Sequence, residues 1–175
     1  MTILSPSIVV FFLALLVSFP HFNNATASDA CKAATRISPT IDLNFCITSL
    51  QSDSTSSSTN ALGLAKIVVG LASKHAKTTK AKINKMLLDA AYGNIMPEIH
   101  TCRSLYSRMI DYLSTAADGL SSSNYADAKT YLSAALDAPC DCNEAFSKKQ
   151  APPVLSNENE TVKQLTEISL ALVNM

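Results

Sequence analysis

A chain of 175 residues with 47% hydrophobic and 16% charged side chains falls in the globular range, which excludes a disordered or fibrous protein. Fourteen Lys and Arg balance fourteen Asp and Glu, so the chain as a whole lacks the electrostatic footprint of a nucleic-acid binder. Four glycines and no tryptophan, against recurrent Ala, Leu, Ser, Thr and Lys, disfavour turn-rich β architectures and Gly-loop nucleotide sites and leave helices as the expected structure.

Residues 1–27 contain no charged side chain, and Ile8 to Phe19 form an apolar run of secretory length rather than a bilayer span. With Ala25-Thr26-Ala27 as a small-x-small cleavage site, 1–27 reads as a signal peptide cut after Ala27, although its first residues lack the usual basic side chain. An uncleaved N-terminal anchor is the competing reading. Residues 28–50 then form two short helices split at Ser38-Pro39, because proline drives the preceding residue out of the α region. A Ser/Thr-rich linker, residues 51–60, is too polar to pack and separates this hairpin from the body.

Residues 61–175 read as four amphipathic helices. The first runs from about Ala61 to Tyr92, with Leu64, Val68, Leu71, Ile83, Met86 and Leu87 apolar and Gly93-Asn94 as its stop. In the second, Ile99, Cys102, Tyr106, Met109, Leu113, Ala116 and Leu120 recur at steps of three and four, and Gly119 with the following serines marks the exit. The third carries Tyr125, Ala128, Leu132, Ala135, Pro139, Cys142 and Phe146, with a kink expected at Pro139 and an end at Ala151-Pro152-Pro153. The fourth, from about Asn157, carries Val162, Leu165, Ile168 and Leu172. Short connections between long helices predict an all-α fold: an up-down-up-down four-helix bundle with the hairpin appended, 28–175 being one domain.

In an oxidising compartment five cysteines pair and leave one over. Cys102 and Cys142 lie on inward stripes, whereas Cys140 is rotated by about 200° from Cys142. The favoured pairs are therefore Cys102–Cys142 and Cys31–Cys46 with Cys140 a free thiol; Cys102–Cys140 is the alternative if Pro139 rotates that turn. Asn159-Glu160-Thr161 is an N-glycosylation sequon in a polar stretch.

Catalytic or metal-binding chemistry is not legible. Neither paired CxxC motifs, nor His-Glu-x-x-His, nor Gly-x-Ser-x-Gly, nor a P-loop occurs, so no cofactor and no metal is expected. His75 and His100 read as ordinary partly exposed histidines, and Asp141 with Glu144, three apart on a helix, as a solvated face. Lys74, Lys77, Lys80, Lys82 and Lys85 make the first bundle helix basic, offset by Asp111, Asp118, Asp127 and Asp137 elsewhere. This reads as a solvated face, with a polarised surface for a protein partner as the rival.

Four blocks carry a resemblance: Cys31 with Ser38-Pro39 and Phe45-Cys46-Ile47-Thr48-Ser49-Leu50; Cys102-Arg103-Ser104-Leu105-Tyr106; Leu132-Ser133-Ala134-Ala135-Leu136; and Cys142-Asn143-Glu144-Ala145-Phe146. In this order, from Cys31 to the C-terminus, they resemble the secreted plant inhibitors of invertase and pectin methylesterase. The tail Gln164 to Leu172 is similar to the pollen-allergen-like branch of invertase inhibitors. The resemblance implies a disulfide-pinned bundle with Cys142 as the fourth bridge cysteine. It also implies a monomeric, extracellular non-enzyme of the cell wall or apoplast, with the vacuole as the other location. Its partner would be invertase or pectin methylesterase, with no nucleic acid and, after signal cleavage, no membrane. Invertase-inhibiting members use Pro-Lys-Phe before the third bundle helix, where this chain has Ser123-Asn124-Tyr125, so Asn124 and Tyr125 become the target-binding candidates. Invertase is favoured over pectin methylesterase on branch similarity. A small apolar-ligand carrier and a structural or storage bundle are the rivals from other classes.

Overall fold

The computed structural model describes residues 26–175, so the apolar run and most of the expected signal peptide lie outside the described residues. Six α-helices follow: α1 (Ala27–Ile37), α2 (Leu43–Gln51), α3 (Ala61–Met86), α4 (Met96–Ser121), α5 (Tyr125–Lys148) and α6 (Ser156–Val173). Strands are absent among the described residues. Helices α3 to α6 form the bundle, each packing on its chain neighbours and α6 closing back on α3. Their inward stripes are buried as the periodicity demands: Leu64, Val68, Ile83, Ile99, Tyr106, Met109, Leu113, Leu132, Phe146, Val162 and Ile168 are all at most 1% exposed. Helix α5 continues through the buried Pro139 rather than ending there.

Local chemistry sets the boundaries. Asp42 caps α2 by accepting from Phe45 N–H at 2.8 Å, and Asn60 caps α3 by accepting from Gly63 N–H at 3.0 Å. The first bundle helix is shorter than its apolar pattern predicts. It ends at Met86, because Asp89 turns its carboxylate to Ala91 N–H at 2.9 Å and starts a separate 3₁₀ segment, Ala90–Ile95. Residues 51–60 are likewise more ordered than their composition implies. Asp53 accepts from both the N–H and the hydroxyl of Thr55, Ser56–Ser58 form a 3₁₀ turn, and Ser56 is buried.

The hairpin lies against α6. Its elbow is stitched there by two side chains: Gln164 accepts from Asp42 N–H at 3.0 Å and donates to the Thr40 carbonyl at 2.9 Å, while Glu167 accepts from Ser38 Oγ at 2.6 Å and from Thr40 Oγ1. Ile41, buried to 5% exposure, fills the space between. Thr26 caps α1, so cleavage after Ala27 would remove that cap and the first helical residue.

Disulfides join Cys31 to Cys46 and Cys102 to Cys142; Cys140 is free and exposed. The first pins α1 to α2 and the second α4 to α5. In the core, Tyr106 donates to Asn159 Oδ1 at 2.7 Å, and Asn159 Nδ2 donates to Asn143 Oδ1 at 2.6 Å, tying α4, α6 and α5 together.

Candidate target-docking site

The corner between α4 and α5 is built by backbone geometry. Helix α4 ends at Ser121, among the serines that follow Gly119 as the sequence leads us to expect, after which Ser123 adopts a left-handed conformation with φ 62°. Asn124 N–H donates to the Gly119 carbonyl at 2.8 Å, the six-to-one bond of a Schellman ending, here with serine where glycine is commoner. Gly119 is needed for a different reason. A Cβ there would lie 3.0 Å from the Asn124 carbonyl oxygen and 3.1 Å from Ala128 N, tight contacts with backbone that would push the start of α5 a few tenths of an ångström away from α4.

Of the two candidate contact residues, Asn124 is occupied structurally. As the cap of α5 its Oδ1 accepts from Asp127 N–H at 3.4 Å and its Nδ2 donates to the Asp127 carboxylate at 2.6 Å. Tyr125, expected to open the core stripe, is instead 40% exposed; the stripe begins one turn later at the fully buried Ala128. The reason is position, because Tyr125 is the first helical residue and projects from the bundle end rather than between helices.

Tyr125 borders an apolar depression of about 320 Å³ lined by Asn60, Ala61, Leu62, Leu172, Val173 and Met175. The starts of α3 and α5 and the end of α6 meet there, as antiparallel alternation requires. Four large apolar side chains are more than a third exposed among the described residues, and two of them, Tyr125 and Met175 (53%), share this depression. Neither Met175 nor Leu62 falls on the apolar stripes read from the sequence; only the return of α6 to the start of α3 brings them beside Tyr125.

The remaining titratable candidates stay apart. His75 and His100 are exposed, and Glu144 pairs with Lys148 at 2.8 Å on an open face. Among the described residues, no three His, Cys, Asp or Glu side chains gather to hold a metal ion, and no helix is long and apolar enough to cross a membrane. Partial desolvation holds the Cys140 thiol above its ordinary range. Asn159, the sequon residue, is 1% exposed with its amide nitrogen committed to Asn143, so a glycan attached there has no path to solvent in this fold.

A bundle pinned by two disulfides that presents an exposed apolar corner has the make-up of a binding module. The chain belongs to the plant invertase/pectin methylesterase inhibitor family, whose family model matches residues 25–172. It is a proteinaceous enzyme inhibitor by family, not an enzyme. It is 30% identical to a Platanus acerifolia protein named "Putative invertase inhibitor" over 98% of this chain and 97% of the relative. It is also 31% identical to pectinesterase inhibitor 12 of Arabidopsis thaliana, over 94% of this chain and 98% of the relative. In fold it is similar to the crystal structure of a mutant form of a pectin methylesterase inhibitor from Arabidopsis, with a TM-score of 0.73 at 23% identity over 86% of this chain and 97% of that one.

Proposed function

We propose that the mature chain, from Ser28 onward, is secreted to the cell wall and inhibits an invertase, docking through the α4–α5 corner with Tyr125 as its anchor. The observation that carries this reading is Tyr125 itself, an aromatic side chain held half-exposed on a rigid corner beside further exposed apolar surface. Aromatic anchors in such settings dominate binding energy, and a corner already fixed by a Schellman ending and a capped helix loses little freedom on association. The full-length similarity to a relative named as an invertase inhibitor supports the choice of target.

Pectin methylesterase is the second reading. Asn124 stands where invertase-directed members have lysine, and its amide is spent on Asp127, so the corner offers no cation to an acidic sugar-cleaving site. The relative from Arabidopsis carries the pectinesterase inhibitor name over nearly the same length. Purified mature protein titrated against sucrose hydrolysis by cell-wall invertases and against ester hydrolysis by pectin methylesterases decides between them. Tyr125→Ala should weaken the inhibited reaction by about 1–2 kcal/mol of binding energy with little change in melting temperature. Wild-type protein that inhibits neither enzyme class would refute the reading.

A further inference from the structure

The zero net charge conceals a concentration of one sign on one helix. Helix α3 carries Lys66, Lys74, Lys77, Lys80, Lys82 and Lys85 and no Asp or Glu at all. Of these six lysines only Lys82 is ion-paired to a described residue, Glu158 at 2.5 Å. The other five are left to solvent, and all but the half-buried Lys80 are exposed. Their positions along the helix, at 1.5 Å rise per residue, spread Lys66 to Lys85 over about 28 Å, and their angular positions keep these five within about 140° of the helix surface. They form a ridge.

An ordinary solvated face does not account for this arrangement. Lys74 and Lys77, Lys77 and Lys80, and Lys82 and Lys85 are like charges three residues apart, a spacing that destabilises an isolated helix. The helix dipole favours cations in the last turn and so rationalises Lys85, but not Lys66, Lys74 or Lys77 in the first and middle turns. Beside the ridge, between α3 and α4, runs a groove of about 560 Å³ whose lining includes Gly70, Ser73, Thr78, Ser114 and Ala117 with the stems of Lys74 and Lys77. Small side chains keep it open, Val69 and Leu113 give it an apolar floor, and the hydroxyls of Ser73, Thr78 and Ser114 line it beside the lysines.

The chemistry of the ridge selects among anionic occupants. Protein interfaces are depleted in lysine and centre on aromatic or arginine anchors; none of the four exposed large apolar residues lies on α3, and the helix has no arginine. Single-stranded nucleic acid needs a row of stacking platforms, and α3 has no Phe, Tyr or Trp and a single histidine, His75. A row of well-hydrated ammonium groups flanked by hydroxyls suits a flexible, hydroxyl-rich chain with regularly spaced carboxylates. We infer that the α3 ridge and its groove bind a linear acidic polysaccharide of the polyuronate class, at a surface separate from the apolar corner. Such binding would hold the inhibitor on an acidic wall matrix while Tyr125 stays free to meet an enzyme.

The test uses the disulfide-bonded mature protein and polygalacturonate, with the fully methyl-esterified polymer as the uncharged counterpart. Polygalacturonate should bind at about 20 mM salt and weaken about tenfold or more by about 300 mM, as screening shortens the reach of each charge. The esterified polymer should not bind. Lys74→Gln/Lys77→Gln/Lys85→Gln should lose at least about tenfold in affinity with an unchanged melting temperature and undiminished enzyme inhibition, whereas Lys148→Gln/Lys149→Gln on α5 should bind as wild type. Absence of binding at low salt, equal binding of the esterified polymer, or equal loss in the α5 variant would overturn the inference. So would a triple variant that loses enzyme inhibition and keeps the polysaccharide, since the ridge would then be a protein contact; that result would leave the Tyr125 reading standing on its own assay.

Discussion

Removing one hydroxyl at Tyr106 tests the buried polar chain that joins three of the four bundle helices. The Tyr106 hydroxyl is the donor to Asn159 Oδ1 at 2.7 Å, and both residues are at most 1% exposed, so no water can replace it. In Tyr106→Phe the ring still fills its site, but a buried amide oxygen loses its partner, which costs about 1–3 kcal/mol. For a chain of about 150 residues each kcal/mol moves the midpoint by roughly 3 °C, so melting followed by circular dichroism should fall by about 3–9 °C. The pH dependence adds a signature specific to the hydroxyl. Burial, the largest cause, pushes the Tyr106 phenol above its ordinary 10.0, with Glu158 adding to the shift and the neighbouring Thr79 hydroxyl opposing it. Above pH 10.0 the unfolded chain therefore releases this proton while the folded chain retains it, so stability falls as pH rises and is unaffected below. Tyr106→Phe should flatten that alkaline loss while being less stable at neutral pH. A variant that melts within about 1 °C of wild type would show that the network contributes nothing net, against the expected cost of an orphaned acceptor.

Three further outcomes follow from the same structure. Cys102→Ser/Cys142→Ser opens a ring with a sequence separation of 40 residues and should cost about 4 kcal/mol in urea unfolding. Gln164→Ala removes both hydrogen bonds to the hairpin elbow and should lower stability by about 1–3 kcal/mol, with amide exchange accelerating in residues 38–46 before the bundle. In the non-reduced protein a single thiol, Cys140, should alkylate, slowly at neutral pH and faster as pH rises, because its raised pKa keeps thiolate scarce; the intact mass should carry no sugar at Asn159.

Helix existence and facing were legible wherever apolar residues repeat at steps of three and four, because burial of such a stripe is what stabilises a helix in a bundle. The same periodicity put Cys102 and Cys142 on facing interiors. It also contained a signal that the sequon obscured: Asn159 lies three residues before Val162, on the buried face of α6, so an inward asparagine needing partners was readable there. What pattern could not supply was chemistry decided between distant residues. Gln164 and Glu167 look like ordinary surface side chains in a polar stretch until the elbow of the hairpin arrives over them. Tyr125 fits the core spacing, yet a helix's first residue has no preceding turn to enclose it. Asp89 ended the first bundle helix early through a side-chain bond that competes with helical hydrogen bonding, which apolar spacing does not register.

The two disulfides have a consequence for how the molecule carries load. Each closes a ring within one part, Cys31–Cys46 within the hairpin and Cys102–Cys142 across the α4–α5 pair, and neither crosses from hairpin to bundle. Tension applied between the chain ends therefore bypasses the two rings and falls on the junctions they leave open: the elbow held by Gln164 and Glu167, and the seam between α3 and α6, where Ser169 reaches the Ala65 carbonyl. Under force the oxidised protein should yield first where α6 parts from the hairpin and from α3, while the α4–α5 pair that presents Tyr125 remains a covalently closed clasp.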